Sequence, residues 1–406
     1  MIGKEFLKKV FKNTGSDRVL YFMCIFLCVF GIVMIGDASV GMANKYGTAY
    51  AAINMIKQIV FVCAGTIGMT FLAHNYKKRK LSGKFLKLMY FIVLMSMFIC
   101  LLWVINGTHA WIVLGPVTIQ PVEFMKLTII LYLSYAFGEL PKHYDFRKGS
   151  QKLKNELQDK LLKQCLVYPI AMAGFAFLVC AFIQKDLGSA LIIAGISYVI
   201  FLCTDYSFFQ KFKRLTYILI IALPVVFLMY SGLLKSHQLS RIDSWLHPLR
   251  DIYGQSYQIV NGLVGYVSGG LLGKGFGSSV MKFGYIPEAQ NDYISAIIME
   301  ELGLIGFACI MIPYCYIIFV CFRYVFKVKE SSDKLTLIGI AAYFLTHLFV
   351  NIGGVSGLIP MTGVPLLLIS AGGSSTVVAL LSIGIIQSII TKHNRDQLKE
   401  DYEYGL

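Results

Sequence analysis

Runs of about 20 apolar residues recur along this chain between short polar breaks. As a helix, each run is long enough to cross roughly 30 Å of hydrocarbon. Ten spans are expected, at about 19–37, 56–73, 85–105, 120–139, 164–184, 187–204, 215–234, 293–322, 335–353 and 364–390. The first run is too long and too poorly flanked for a cleaved signal peptide, and Asp37 stands at its end. The pattern therefore predicts an all-α polytopic membrane protein, with residues 1–406 forming a single integral membrane domain.

Most breaks are short, as in a compact helical bundle. Three are longer. Segment 140–163 is charged and reads as a short surface helix, QKLKNELQDKLLK. Segment 235–292, before the eighth span, is the largest loop. Within it YQIVNGLVGYVSGGLLG carries Ile259, Leu263, Val267 and Leu271 at helical spacing, which predicts a helix lying at the interface or dipping in. The third, GGVSGLIPMTGVPLLLISAGGSS at 353–375, has too much Gly and Pro to be plain helix at its outer end. Irregular backbone at membrane depth is tolerated where protein or a water-filled cavity covers it. Both of the latter segments should therefore line something.

Charge placement orients the spans. The formal net charge of +15 comes from 37 Lys and Arg against 22 Asp and Glu. Of those 37, 28 fall in the amino-terminal tail, 74–87, 140–163, 211–214, 323–334 and the stretch after 391, all on one side of a ten-span arrangement. Loops at 38–55, 106–119 and 354–363 on the other side hold only Lys45. The positive-inside rule then puts both termini in the cytoplasm and the 235–292 loop outside. Anionic lipid headgroups account for the basic runs. A nucleic-acid partner is not indicated, because no aromatic-interleaved basic patch is present. All ten cysteines lie within or at the edge of expected spans with no CxxC pair, which speaks against a disulfide framework or a thiolate metal site.

Ionisable residues in or near the spans are few: Asp37, Glu123, Lys126, Asp186, Glu300, Glu301 and His347. They are functional candidates, since even a mild insertion scale sets about 2.5–3.5 kcal/mol against Asp, Lys or Arg at mid-helix. Glu123 and Lys126, three apart in QPVEFMK, share a helix face. They form either an internal ion pair that makes insertion tolerable or a direct contact to substrate. Asp186 in QKDLGS is placed to cap the following helix. Glu300 follows Asp292 by eight residues, about 12 Å along a helix, with Glu301 turned about 100° away. Both should be internal support, and His347 should pack. Asp292 differs, because at the outer boundary a carboxylate is wet enough to ionise and close enough to protein to be oriented. That suits a general base, although a boundary Asp also suits a helix cap. Arg241, Arg250, Lys274 and Lys282 in the same loop could meet a phosphate. GKGFGSS at 273–279 lacks the Gly-Lys-Ser/Thr order of a phosphate loop, so its glycines read as hinges.

QPVEFMK, QKDLGS, RIDSWLHP, NDYISAIIMEELGLIG and GLIPMTGVPLLLISAGGSS occur in that order. Together they resemble the SEDS family (shape, elongation, division and sporulation), the FtsW/RodA-type proteins, over essentially the whole chain. The resemblance implies a glycosyltransferase that polymerises lipid II into peptidoglycan at the outer face of the cytoplasmic membrane and releases undecaprenyl pyrophosphate. The implied partners are lipid II, the undecaprenyl-linked glycan, a class B penicillin-binding protein and other divisome or elongasome proteins. The family's essential external acid falls on Asp292. Its intramembrane pair falls on Glu123 and Lys126, and its loop arginine on Arg241, with Trp245 and Pro248 following. Asn291, Lys185, Leu367 and Ala371 depart from residues common in relatives without removing an ionisable candidate. The NDY and QKD variants lean towards a division-type member.

On that resemblance, Asp292 would be the base in an inverting transfer. Arg241, Lys274, Lys282 or a divalent cation (Mg or Mn) would steady the pyrophosphate, no cofactor being otherwise required. Two rivals share the sequence. A lipid II flippase would run substrate or protons through Glu123, Lys126, Glu300 and Glu301. A non-enzymatic scaffold for a transpeptidase would not need Asp292.

Overall fold

The computed structural model describes residues 15–78, 82–105, 107–115, 117–143, 151–214, 216–217, 243–254 and 256–403. The side chains of 78, 151–155, 207, 402 and 403 are not described. Arg241 and most of the expected seventh span, 215–234, lie outside the described residues.

The apolar runs fold as helices because nothing in hydrocarbon can satisfy a free backbone polar group. In chain order they are α1 (Arg18–Val40), α2 (Tyr50–Asn75), α3 (Gly83–Ile99), α4 (Pro121–Gly138), α5 (Gln151–Leu162), α6 (Tyr168–Leu178), α7 (Leu187–Leu202), α8 (Tyr257–Ser268), α9 (Ile294–Val325), α10 (Ser331–Val355) and α11 (Gly373–Glu403). A small antiparallel hairpin, β1 (Ile112–Leu114) and β2 (Val117–Ile119), precedes α4. Among the described residues, seven helical runs are long and apolar enough to cross a membrane. They include α1, α2, α9, α10 and α11, and a run to Leu102 that begins with α3. The seventh, Glu156–Ile183, joins α5 to α6 through the π turn Lys163–Val167. The charged segment expected as a separate surface helix is thus continuous with the span that follows it. Two expected spans appear as shorter helices, α4 with 18 residues and α7 with 16. The chain is an all-α polytopic membrane protein.

Starts are set locally. Asp17 accepts the Leu20 N–H at the head of α1, and Ser82 accepts the Phe85 N–H at the head of α3. Pro121 opens α4, where its missing N–H would be unpaired in any case. Helices α10 and α11 are mostly buried, whereas α2 and α3 show most of their surface outward. Since lipid is as apolar as Leu, small residues at the contacts matter more than hydrophobicity. Gly384 of α11 meets α2 so closely that a Cβ would come within 2.4 Å of the Met69 carbonyl oxygen.

Three expected elements differ in a way that shapes the site. The span begun at about 293 is broken, because Gly303 has φ 62° and ψ −163° inside α9. The loop after α8 repairs the break: Leu304 N–H donates to Gly270 O at 3.1 Å, Lys274 N–H to Glu300 O at 3.0 Å and Gly275 N–H to Glu301 O at 2.9 Å. Helix α8 exists as expected, but it lies against α9 through Gly262 and Gly265, leaving Val267 and Leu271 of the expected stripe exposed. The last span starts at Gly373 and not at about 364. Residues 366–369 before it are fully buried and irregular, with Leu368 at φ 66°.

Candidate functional site

Helices α4, α7, α9 and α11 begin at one mouth. The Gln120 N–H donates to Ser374 Oγ at 2.9 Å, and its side-chain amide donates to Asp186 Oδ2 at 3.1 Å. Asp186 caps α7 by accepting the Ser189 N–H at 3.0 Å. Thr362 packs on Gly188, where a Cβ would stand 3.0 Å from the Thr362 carbonyl oxygen. The Ala371 N–H donates to Gln290 O at 2.9 Å, and the Gln290 amide donates to the Tyr50 hydroxyl at 3.0 Å. Asp292 lies here, half-buried, two residues before α9. Its Oδ2 would be 3.7 Å from a Cβ on Gly363, so the carboxylate faces the 362–372 segment. Each helix brings the positive end of its dipole to this mouth, an arrangement that favours a bound anion.

Beneath the mouth lies a buried polar column. Lys126 Nζ donates to Glu123 Oε1 at 2.7 Å and approaches His347 Nε2 at 3.1 Å. The Tyr343 hydroxyl donates to Glu123 Oε2 at 3.3 Å. His347 Nδ1 is 3.2 Å from Pro365 O. Asn351, one turn further along α10, donates to Asp292 O and to Val364 O, both at 2.8 Å. His347, expected only to pack, is therefore bonded through both ring nitrogens. Asn351 carried no signal in the sequence, because a lone amide in a span gains meaning only from the carbonyls it meets.

Glu300 and Glu301 are held elsewhere, inside the loop that follows α8. Glu300 accepts from Lys274 Nζ at 2.7 Å, from the Ser279 hydroxyl, and from the Val280 and Met281 N–H groups at 3.1 and 3.2 Å. Glu301 accepts the Gly277 and Ser279 N–H groups at 3.0 Å each and Lys282 Nζ at 2.8 Å. Lys282 also donates to Asp37 Oδ1 at 2.7 Å, tying α1 to the loop. The glycines of GKGFGSS are thus not hinges. Gly273, Gly275 and Gly277 take φ of 80°, 104° and 81° to wrap backbone donors around two carboxylates. The charges of Lys274 and Lys282, considered from sequence as phosphate ligands, are already met by these acids. Trp245 donates Nε1–H to Gly357 O at 2.9 Å, fixing the loop segment that follows Arg241 to the end of α10.

Among the described residues, no three His, Cys, Asp or Glu side chains are grouped to hold a metal ion. A divalent cation at this mouth would have to take most of its ligands from phosphate and water, as Mg²⁺ commonly does.

The family model described as cell cycle protein, spanning FtsW, RodA and SpoVE, matches residues 18–395. The chain belongs to the FtsW/RodA/SpoVE family. Among its relatives is the probable peptidoglycan glycosyltransferase FtsW of Bacillus subtilis, 30% identical over 97% of this chain and 95% of the relative. The stage V sporulation protein E of the same organism is 29% identical over 93% of this chain and 98% of the relative. Of solved structures, a chain of a peptidoglycan synthase complex described as coordinating polymerisation and crosslinking matches with a TM-score of 0.67 at 23% identity. The match covers 93% of this chain and 98% of that one. The Thermus thermophilus rod shape determining protein RodA matches with a TM-score of 0.58 at 22% identity, over 94% of this chain and 97% of that one. At such identities these structures establish the shared FtsW/RodA fold and nothing finer.

Proposed function

We propose that this member of the family is a peptidoglycan glycosyltransferase. It polymerises lipid II into glycan strands at the outer face of the cytoplasmic membrane, in division or cell-shape maintenance. Ten spans, with both termini cytoplasmic and the 235–292 loop outside, give the topology this needs. The observation that carries the reading is the mouth itself: a half-buried acid, Asp292, beside the α7 cap Asp186, at a place where four helix amino termini converge. A sugar pyrophosphate needs a base for the attacking hydroxyl and positive potential for the leaving group, and this arrangement supplies both.

Asp292 removes the proton from the 4-hydroxyl of the acceptor lipid II. That oxygen bonds to the anomeric carbon of the donor strand with inversion, the bond to the pyrophosphate oxygen breaks, and undecaprenyl pyrophosphate departs. Its charge is met by the helix termini, by Arg241, and by a divalent cation if one accompanies the phosphates. A class B transpeptidase is the expected partner, in keeping with the synthase complex to which the fold is similar. The carrier reading gains nothing from the buried acids, because Glu123 in the column and Glu300 and Glu301 in the loop after α8 are each bonded within the protein.

The test is polymer formation from purified lipid II in detergent, where transport has no meaning. The wild type should make glycan and Asp292→Ala should make none. Polymer of normal length from D292A would reject the proposal.

A further inference from the structure

Glu123, Lys126 and His347 are sealed from solvent, with side chains no more than 1% exposed. A substrate at the mouth cannot touch them as they stand. Burying three such groups is unfavourable unless each is well bonded, and the bonding runs towards the mouth.

An ammonium can only donate, so the Lys126 contact at 3.1 Å makes His347 Nε2 the acceptor. The ring proton then sits on Nδ1, from which it is donated to Pro365 O. Pro365 has no N–H, so its carbonyl is the one backbone group by which this residue can be hydrogen-bonded. One turn along α10, Asn351 uses both amide hydrogens, on Val364 O and on Asp292 O. Two adjacent carbonyls of the 362–372 segment and the backbone of Asp292 are thus gripped from a single face of α10. Gly363, immediately before Val364, is the residue the Asp292 carboxylate faces.

We propose that His347 and Asn351 are positioning residues through which the buried Glu123–Lys126 pair sets the distance between the Asp292 carboxylate and the 362–365 segment. The pair fixes the imidazole tautomer, the imidazole fixes Pro365, and Asn351 joins Val364 to Asp292. This inference rests on Asp292 being the base.

The experiment compares full-length wild type, H347F and H347Q in detergent. H347F keeps a ring beside Tyr343 but neither hydrogen bond, while H347Q keeps one donor and one acceptor. H347F should lower kcat on the order of 10–100-fold, with KM for lipid II changed by less than about twofold. H347Q should recover most of the rate. Backbone amide exchange over 363–372 should quicken in H347F and stay near wild type in H347Q. An unchanged kcat in H347F overturns the proposal, as does a raised KM with kcat retained. Equal losses in both variants without altered exchange would mark a packing role and overturn it too. Should H347F fail to fold, N351S cuts the other arm and carries the same expectations. The exchange measurement needs no turnover, so it still decides whether His347 holds the segment even if D292A proves active and the base assignment falls.

Discussion

Lys282 and Glu301 meet at 2.8 Å with side chains 2% and 0% exposed, and the same ammonium reaches Asp37 on α1. This joint holds the loop after α8 against two helices at once. Lys282→Met would leave two buried carboxylates without their shared cation, which costs about 3–5 kcal/mol for a pair broken from one side. Thermal unfolding in detergent should show a large drop for K282M and partial recovery in K282M/E301Q. Lys274→Met should cost less, since Lys274 is 35% exposed and Glu300 keeps its bonds to Ser279, Val280 and Met281.

Gly303→Ala should damage the same loop by another route. The position needs φ 62°, and a Cβ there would stand 2.4 Å from Gly273 N and 2.6 Å from Leu271 O. The helix would have to straighten or the loop retreat, and either breaks the bonds that Gly270 and Lys274 make to α9. Amide exchange over 270–282 should rise in G303A while the rest of α9 stays protected. Unchanged protection there would show that the break in α9 does not depend on this glycine.

Seven of the expected spans were legible because hydrocarbon enforces one pattern, and Asp186 was legible because capping is local. The break in α9 was not. MEELGLIG reads as continuous apolar helix, and what replaces its missing bonds comes from residues 270–275, far back along the chain. The LLLI run at 366–369 reads as the start of a span, yet Pro365 before it and the turn through Leu368 keep it irregular. Asp292, Glu123 and Lys126 stood out as charges in apolar surroundings. The partners of Glu300 and Glu301 did not stand out, because pairing across some 20 residues of glycine-rich loop leaves no periodic trace. His347 was legible only as a packing residue and Asn351 not at all, because their partners are Lys126 of α4 and the backbone of Asp292, Val364 and Pro365, which no spacing in the sequence brings together.

At the end of the bundle away from the mouth, Glu330 accepts from Lys392 at 2.5 Å and from Lys77 at 3.0 Å, and Lys77 also reaches Asp333 at 2.6 Å. Burial works against the Glu330 carboxylate, but the bonds from Lys392 and Lys77 outweigh it and hold its pKa down at about 2. A carboxylate depressed on folding contributes stability above its ordinary pKa of 4.5 and loses it as pH falls towards the folded value. Acid should therefore loosen this joint between pH 4.5 and about 2. The melting temperature of Glu330→Gln should start lower at neutral pH and fall less across that window than wild type. Parallel curves would remove Glu330 from the acid response.

Asp292→Asn separates chemistry from architecture at the mouth. The backbone carbonyl of Asp292 accepts from Asn351 at 2.8 Å, a bond that a change of side chain leaves in place. Asparagine has nearly the same shape and keeps one oxygen facing Gly363, but it cannot take a proton. Loss of a positioned general base typically lowers a rate by about 10²–10⁴-fold. D292N should thus fall in kcat by that order, with little change in KM. Asp292→Glu keeps a base but pushes it one methylene further towards the 362–365 segment, so it should retain a small part of the rate. If D292N instead unfolded early while keeping its specific activity, the carboxylate would belong to the scaffold and the base would have to be sought elsewhere.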